Sequence, residues 1–134
     1  MSIDSSAADV VRRFYRAVAD RDLQAAGACF DQHAVWILPG RSPIAGEHRG
    51  WAAIRDDFLA KLGPLSGGTF RADLVDVAVG DRHIVAVQRA TAHRGDRRLD
   101  ISACQLIRTE GSKIVHVRGH YSDQYALDAF WAPD

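Results

Sequence analysis

Cysteine is scarce in this chain. Only Cys29 and Cys104 occur, each inside an apolar run where a thiol behaves as a small buried hydrophobe, so no disulfide framework is expected. Net charge is missing as well: 17 basic and 17 acidic side chains cancel to a formal charge of zero. A nucleic-acid or anionic-membrane partner would need a basic face, and neither partner is expected. No apolar run approaches the ~18 residues of a membrane span. Met1 to Asp9 has neither the basic start nor the apolar stretch of a secretory leader, so the expected location is cytoplasmic. A phosphate loop, a dinucleotide fingerprint and a Ser-His-Asp signature are all absent. The six histidines do not suggest a metal. His116 and His120 would share a strand face but stand ~13 Å apart, and His33 and His48 lack a Cys or carboxylate partner at ligand spacing. Neither metal nor cofactor is expected.

What is present is amphipathic periodicity. The 134 residues suit one domain, 1–134, long enough for a real core. Val10, Val11, Phe14, Tyr15 and Val18 fall on one face of a helix over Ala8 to Ala19. Asp22 can cap a second, Leu23 to Cys29. Ala34 to Leu38 reads as a short strand stopped by Pro39-Gly40. Gly50 opens a third helix, with Trp51, Ile54, Phe58 and Leu62 on one face, and Gly63-Pro64 should end it. The rest is strand: Thr69 to Val79, His83 to His93, Leu99 to Arg108 and Ile114 to Ser122, joined by Gly80-Asp81, Gly95-Asp96 and Glu110-Gly111-Ser112 turns. Helices followed by a meander predict an α+β fold with the helices on one face of a curved antiparallel or mixed sheet. A final short helix capped by Asp123 would put Leu127, Phe130 and Trp131 on one side.

If the last two hairpins close in simple in-phase registers, Val85, Val87, Arg89 and Thr91 share a face with Leu99, Ile101, Ala103, Gln105 and Ile107. Val115, Val117, Gly119 and Tyr121 complete it. Burial favours that face as the interior, so Arg89, Gln105 and Tyr121 are the expected inward polar groups. Gln88, Asp100, Ser102, His116, Arg118 and His120 would lie outside. A slip of one residue exchanges the faces.

The order of elements resembles the NTF2-like superfamily in its SnoaL-like and ketosteroid-isomerase-like branch. The resemblance is carried by Val11-Val18 before Asp22, Cys29-Phe30 leading to Val35-Trp36, and Pro39-Gly40-Arg41-Ser42-Pro43. Ala45-Gly46-Glu47-His48-Arg49-Gly50 and the ending Tyr121 to Asp128 extend it. It implies a conical fold, a bent sheet wrapped around three N-terminal helices, with a deep pocket at the open end and homodimers among the relatives. In the steroid isomerases of that branch a tyrosine on the first helix, an aspartate base and a second, protonated carboxyl do the chemistry. Here those positions fall on Phe14 (one residue short of Tyr15), Leu38 and Ala103, and a supporting tyrosine falls on Phe58. Both carboxyls are missing, so steroid isomerisation by that route is not expected.

The expected site is then an apolar pocket lined by Phe14, Tyr15, Trp36, Leu38, Phe58, Val87, Ala103, Val117, Gly119 and Trp131. Arg89, Gln105 and Tyr121 are the groups that could act on a ligand. An interior Arg89 would need an anion, either a ligand or Asp73 or Asp76 of the preceding strand, and the second case would only pin the sheet. The pattern suggests an enzyme that isomerises, cyclises, dehydrates or hydrolyses a largely apolar metabolite, such as a polyketide or terpenoid, without a cofactor. The other reading is a non-catalytic ligand-binding or dimerisation module. The outer sheet face, with its polar residues, is the expected homodimer surface. Phe130 and Trp131 would either close over the pocket mouth or serve as core at the sheet edge.

Overall fold

The computed structural model describes residues 5–134; residues 1–4 of the N-terminal stretch read above lie outside them. Helix α1 (Ser5–Ala19) buries Val10, Val11, Phe14 and Tyr15, the three-and-four spacing that puts one stripe on the core. Burying a side chain the size of Val11 is worth roughly 1.5–3 kcal/mol, so a charge there would detach the helix. Arg21, at a backbone φ of 56°, turns the chain into α2 (Leu23–Gly27). The Asp22 carboxylate accepts from the Ala25 amide at 3.0 Å, as a cap should. Strand β1 (Phe30–Leu38) starts four residues earlier than the apolar run suggested. Its antiparallel partner β2 (Gly46–Arg49) lies in what read as loop.

Helix α3 (Trp51–Ala53), a π-helical stretch (Ile54–Leu59) and α4 (Ala60–Ser66) run on without a break. This run passes through Pro64 and does not end at Gly63-Pro64. It stops where Gly67 turns left-handed at φ 63° and the Gly68 amide donates back to the Gly63 carbonyl at 2.8 Å, a glycine C-cap. The meander follows: β3 (Arg71–Val79), β4 (Ile84–Arg94), β5 (Arg97–Glu110) and β6 (Lys113–Tyr121). Helix α5 (Gln124–Trp131) closes the described chain, with Asp123 accepting from the Ala126 amide at 2.9 Å.

The six strands form one curved, mixed sheet in the order β2-β1-β6-β5-β4-β3, with β1 and β6 parallel. This is the α+β cone expected, helices filling the concave side. Among the described residues no helix is long and apolar enough to cross a membrane.

The register corrects one face assignment. Arg94 pairs with Arg97 across the two-residue turn Gly95-Asp96, so each even-numbered residue of β4 faces an odd-numbered partner on β5. Gln88 therefore sits opposite Ala103 and Ala86 opposite Gln105, all on the concave side. Val85, Val87, Arg89 and Thr91 point the other way, beside Leu106, Cys104, Ser102 and Asp100. The in-phase closure expected from the sequence would have needed an odd-length turn. In the next hairpin a bulge around Val115 inserts the extra residue. Above it Ile107 faces Val117, Gln105 faces Gly119 and Ala103 faces Tyr121, as expected. Cys29 is buried, but Cys104 is exposed on the convex face, because it shares that strand's outward phase.

Candidate functional site

The interior of the cone is aromatic on one side and polar on the other. Phe14, Phe30, Trp36 and Phe58 pack ring to ring, with centroids 5.2–6.1 Å apart. His48, from β2, stacks on Phe58 at 5.6 Å and bonds through Nε2 to the Ile44 carbonyl at 2.8 Å. Phe14, Leu38 and Ala103 are all buried. The three positions where the steroid isomerases carry their catalytic groups are thus apolar wall.

Across from these rings the sheet and α1 gather four polar side chains. The Tyr15 hydroxyl donates to Gln88 Oε1 at 2.5 Å. Gln105 Nε2 donates to the Tyr121 hydroxyl at 3.4 Å. Gln88 and Gln105 are 6% and 1% exposed, so both amides are true interior groups. Gln105 Oε1 is buried with no partner, and so is Trp36 Nε1, a state that ordinarily costs a protein about 1–3 kcal/mol. A Cβ on Gly119 would lie 2.7 Å from Tyr121 Cε2 and 3.1 Å from Gln105 Oε1. The bare glycine is what lets the Tyr121 ring lie beside that amide. Burial raises the Tyr15 pKa, with Tyr121 and Cys104 adding to it, and burial likewise raises that of Tyr121 against the opposing pull of Gln105. Both phenols stay neutral donors across the physiological range, suited to polarising a carbonyl.

One helical turn beyond Tyr15 a cavity of about 490 Å³ opens between the end of α1, the helical run 51–66 and the start of β3. Its wall is apolar: Val18, Ala19, Leu23, Leu59, Ala60, Leu62, Gly63, Phe70 and Ala72, bordered by Arg21, Arg71 and Asp73. The Ala72–Ala90 pair lies two residues along the strands from the Leu74–Gln88 pair, a step of roughly 7 Å. The cavity therefore lies above the Tyr15–Gln88 bond.

The expected lining divides. Phe14, Tyr15, Trp36, Leu38, Phe58, Ala103, Val117 and Gly119 are buried inside the cone, but none borders the cavity itself. Trp131 is buried behind the cavity wall, 5.9 Å from Phe70. Gln105 and Tyr121 are inward, as expected. Val87 and Arg89 are on the convex side, bordering a shallow groove with Val75, Asp100, Ser102 and Ser122. Arg89 is exposed and forms a two-pronged pair with Asp100 at 2.8 and 2.6 Å. Each holds the other in its charged form. Its anion is thus a neighbour on β5 and neither a ligand nor Asp73 or Asp76. The residues missed were Gln88, hidden by the register, and the cavity residues Val18, Leu59, Leu62 and Phe70. The two-residue Gly95-Asp96 turn carried the signal for Gln88. Among the described residues no three His, Cys, Asp or Glu side chains gather as a metal site.

A SnoaL-like domain model matches residues 11–117. An uncharacterized protein of Mycobacterium tuberculosis, Rv0034, is 32% identical over 133 residues, covering 96% of this chain and 98% of the relative. The structure of Bal32a, from a soil-derived mobile gene cassette, superposes with a TM-score of 0.90 at 38% identity, covering 94% of this chain and 96% of that one. An NTF2-like protein from Burkholderia xenovorans superposes at 0.79 with 22% identity, covering 98% and 99%, which shows the shared fold. The chain belongs to the SnoaL-like family, on the NTF2-like fold.

Proposed function

We propose that the protein is an enzyme acting on a small, largely apolar carbonyl compound of the polyketide or terpenoid kind. The ligand's body occupies the cavity and its carbonyl reaches the Tyr15, Gln88, Gln105 and Tyr121 cluster. One observation carries this reading: four polar groups converge in an apolar interior and one of them, Gln105 Oε1, is an acceptor with no protein partner, able to accept from the hydroxyl of the enol that forms from the carbonyl. Neutral phenol donors lower the barrier to enolisation, and so to isomerisation, cyclisation or dehydration, by stabilising negative charge as it forms on the carbonyl oxygen, while a water molecule admitted through the cavity takes the α-proton. Chemistry of this kind needs no redox or metal partner. Arg89 has no part in it.

The reading is tested by following α-proton exchange of a panel of cyclic ketones, such as 2-tetralone, in D2O by NMR. Accelerated exchange that falls about 100-fold in Tyr15→Phe is the expected result, the usual effect of losing one oxyanion donor. Exchange no faster than in buffer for every ketone overturns it. A second reading, a binding module without turnover, has its own observation: the buried polar residues among those described are His48, Ser66, Gln88 and Gln105, with no carboxylate base. Ketone binding without exchange would select it.

A homodimer through the convex sheet face completes the proposal. Ser102, Arg118 and His120 are exposed there with the Arg89–Asp100 pair, a composition suited to a wet interface. Gln88, first assigned to this face, is inside. Light scattering at micromolar concentration should give twice the monomer mass, and Arg118→Glu with His120→Glu should halve it.

A further inference from the structure

Given that the cavity holds the ligand, as proposed above, we infer that the ligand is an amphipathic acid whose carboxylate is held at the cavity mouth by Arg21. The walls named above offer the body of a ligand nothing but carbon and backbone. The charged groups at the border are Arg21, Arg71 and Asp73. Arg71 already has its anion, Asp73, at 3.2 Å. Among the described residues Arg21 has no carboxylate within ion-pair distance. Its Nη2 donates to the Gly68 carbonyl, which leaves most of a guanidinium's five donors for another acceptor. Of its flanking acids, Asp22 is engaged in capping α2, and Asp20 is exposed. Arg21 is also the one non-glycine residue at positive φ among those described, at 56°. The chain holds it in a conformation most side chains avoid, and that turn places it at the cavity border.

Geometry limits the ligand further. Tyr15 lies on α1 one turn before the cavity-wall residues Val18 and Ala19, and Arg21 lies two residues past the end of that helix, at the cavity border. The cavity of about 490 Å³ between them suits a body the size of a substituted bicyclic acid, with its carboxylate on Arg21 and a carbonyl toward Tyr15. A guanidinium pairs with a carboxylate through two parallel N–H donors, whereas a neutral or cationic headgroup gains nothing there.

The test compares 2-naphthylacetate with its uncharged isostere 2-naphthylacetamide by isothermal titration calorimetry. Both present the same apolar body to the cavity. The acetate should bind the unaltered protein about tenfold tighter, a modest value because the mouth is solvent-exposed. Arg21→Asn, chosen because asparagine tolerates left-handed backbone, should bring that preference to about one while the acetamide binds as before. Arg71→Gln should leave the preference in place. Equal binding of the two probes to the unaltered protein overturns the anion site and leaves the cavity reading standing. No binding of either at millimolar concentration overturns both. A preference that survives Arg21→Asn, or that is lost instead in Arg71→Gln, overturns the assignment to Arg21. If Arg21→Asn fails to fold, the comparison on the unaltered protein still decides whether an anion is preferred, and retention or loss of that preference in Arg71→Gln decides between the two border arginines.

Discussion

Arg89 and Gln88 are neighbours whose fates were exchanged by a single step of register. In a strand the two faces alternate, so the charge that looked buried is in solvent, and the amide that looked exposed bonds Tyr15 inside the cone. The sequence of β4 alone could not decide this. Its inward-phase residues are Ile84, Ala86, Gln88, Ala90 and Ala92, and its outward-phase residues include Val85 and Val87, so neither phase is clearly the more apolar. Arg89→Ala should leave ligand binding and turnover unchanged; a loss of more than a few-fold in a binding titration would restore Arg89 to the site. Gly119→Ala should behave otherwise. The added methyl would sit 2.7 Å from Tyr121 Cε2, so the ring must move away from Gln105. Overpacking of this sort costs roughly 1–3 kcal/mol, partly offset because alanine is easier to order in a strand than glycine. A net loss of about 1–2 kcal/mol in urea unfolding is expected, and an unchanged midpoint would mean Tyr121 adjusts freely.

At the scale of elements the sequence was most legible where periodicity and capping agreed. Helix α1, the caps at Asp22 and Asp123, and the four strands of the meander are where the apolar spacing put them. Strand β2 was not legible, because four residues, Gly46–Arg49, bury only His48 and show no alternation of hydrophobes. The cavity was not legible either. It is made by the ends of elements far apart in the chain, where Val18, Leu62 and Phe70 look like ordinary core positions. The last helix resolves one of the alternatives left by the sequence. Leu127, Phe130 and Trp131 are buried at 3%, 2% and 2%, so α5 is core as it stands. Arg94 and Arg97 tie its end down, donating to the Phe130, Ala132 and Pro133 carbonyls. Removing a buried aromatic costs roughly 3–5 kcal/mol. Trp131→Ala should thus lower the melting temperature by many degrees and loosen Phe70 at the cavity wall, weakening 2-naphthylacetate binding as well. Weakened binding at an unchanged melting temperature would instead mark Trp131 as a mobile cover.

The molecule as a whole buries two phenols, and that gives it a characteristic response to alkali. An ordinary tyrosine titrates near pH 10. Burial lifts both Tyr15 and Tyr121 above that value, so above pH 10 the unfolded chain releases protons that the folded chain keeps. Stability then falls as pH rises, because its slope with pH follows the protons bound by the unfolded state minus those bound by the folded one. Below pH 10 both states hold their phenol protons and the contribution is fully present. Burial raises the Cys29 thiol in the same way, so urea midpoints measured from pH 8 to 11.5 should begin to decline near pH 9, where an ordinary thiol titrates, and fall more steeply above pH 10. Tyr15→Phe should start lower at pH 8, since it leaves Gln88 Oε1 without the donor it now has, a loss of about 1–3 kcal/mol. Its decline above pH 10 should be shallower than that of the unaltered protein, because one of the two phenols is gone, and the two curves should converge. Parallel curves would show that Tyr15 is free to ionise in the folded state. That would remove both the buried hydrogen bond to Gln88 and the neutral donor on which the proposed carbonyl chemistry depends.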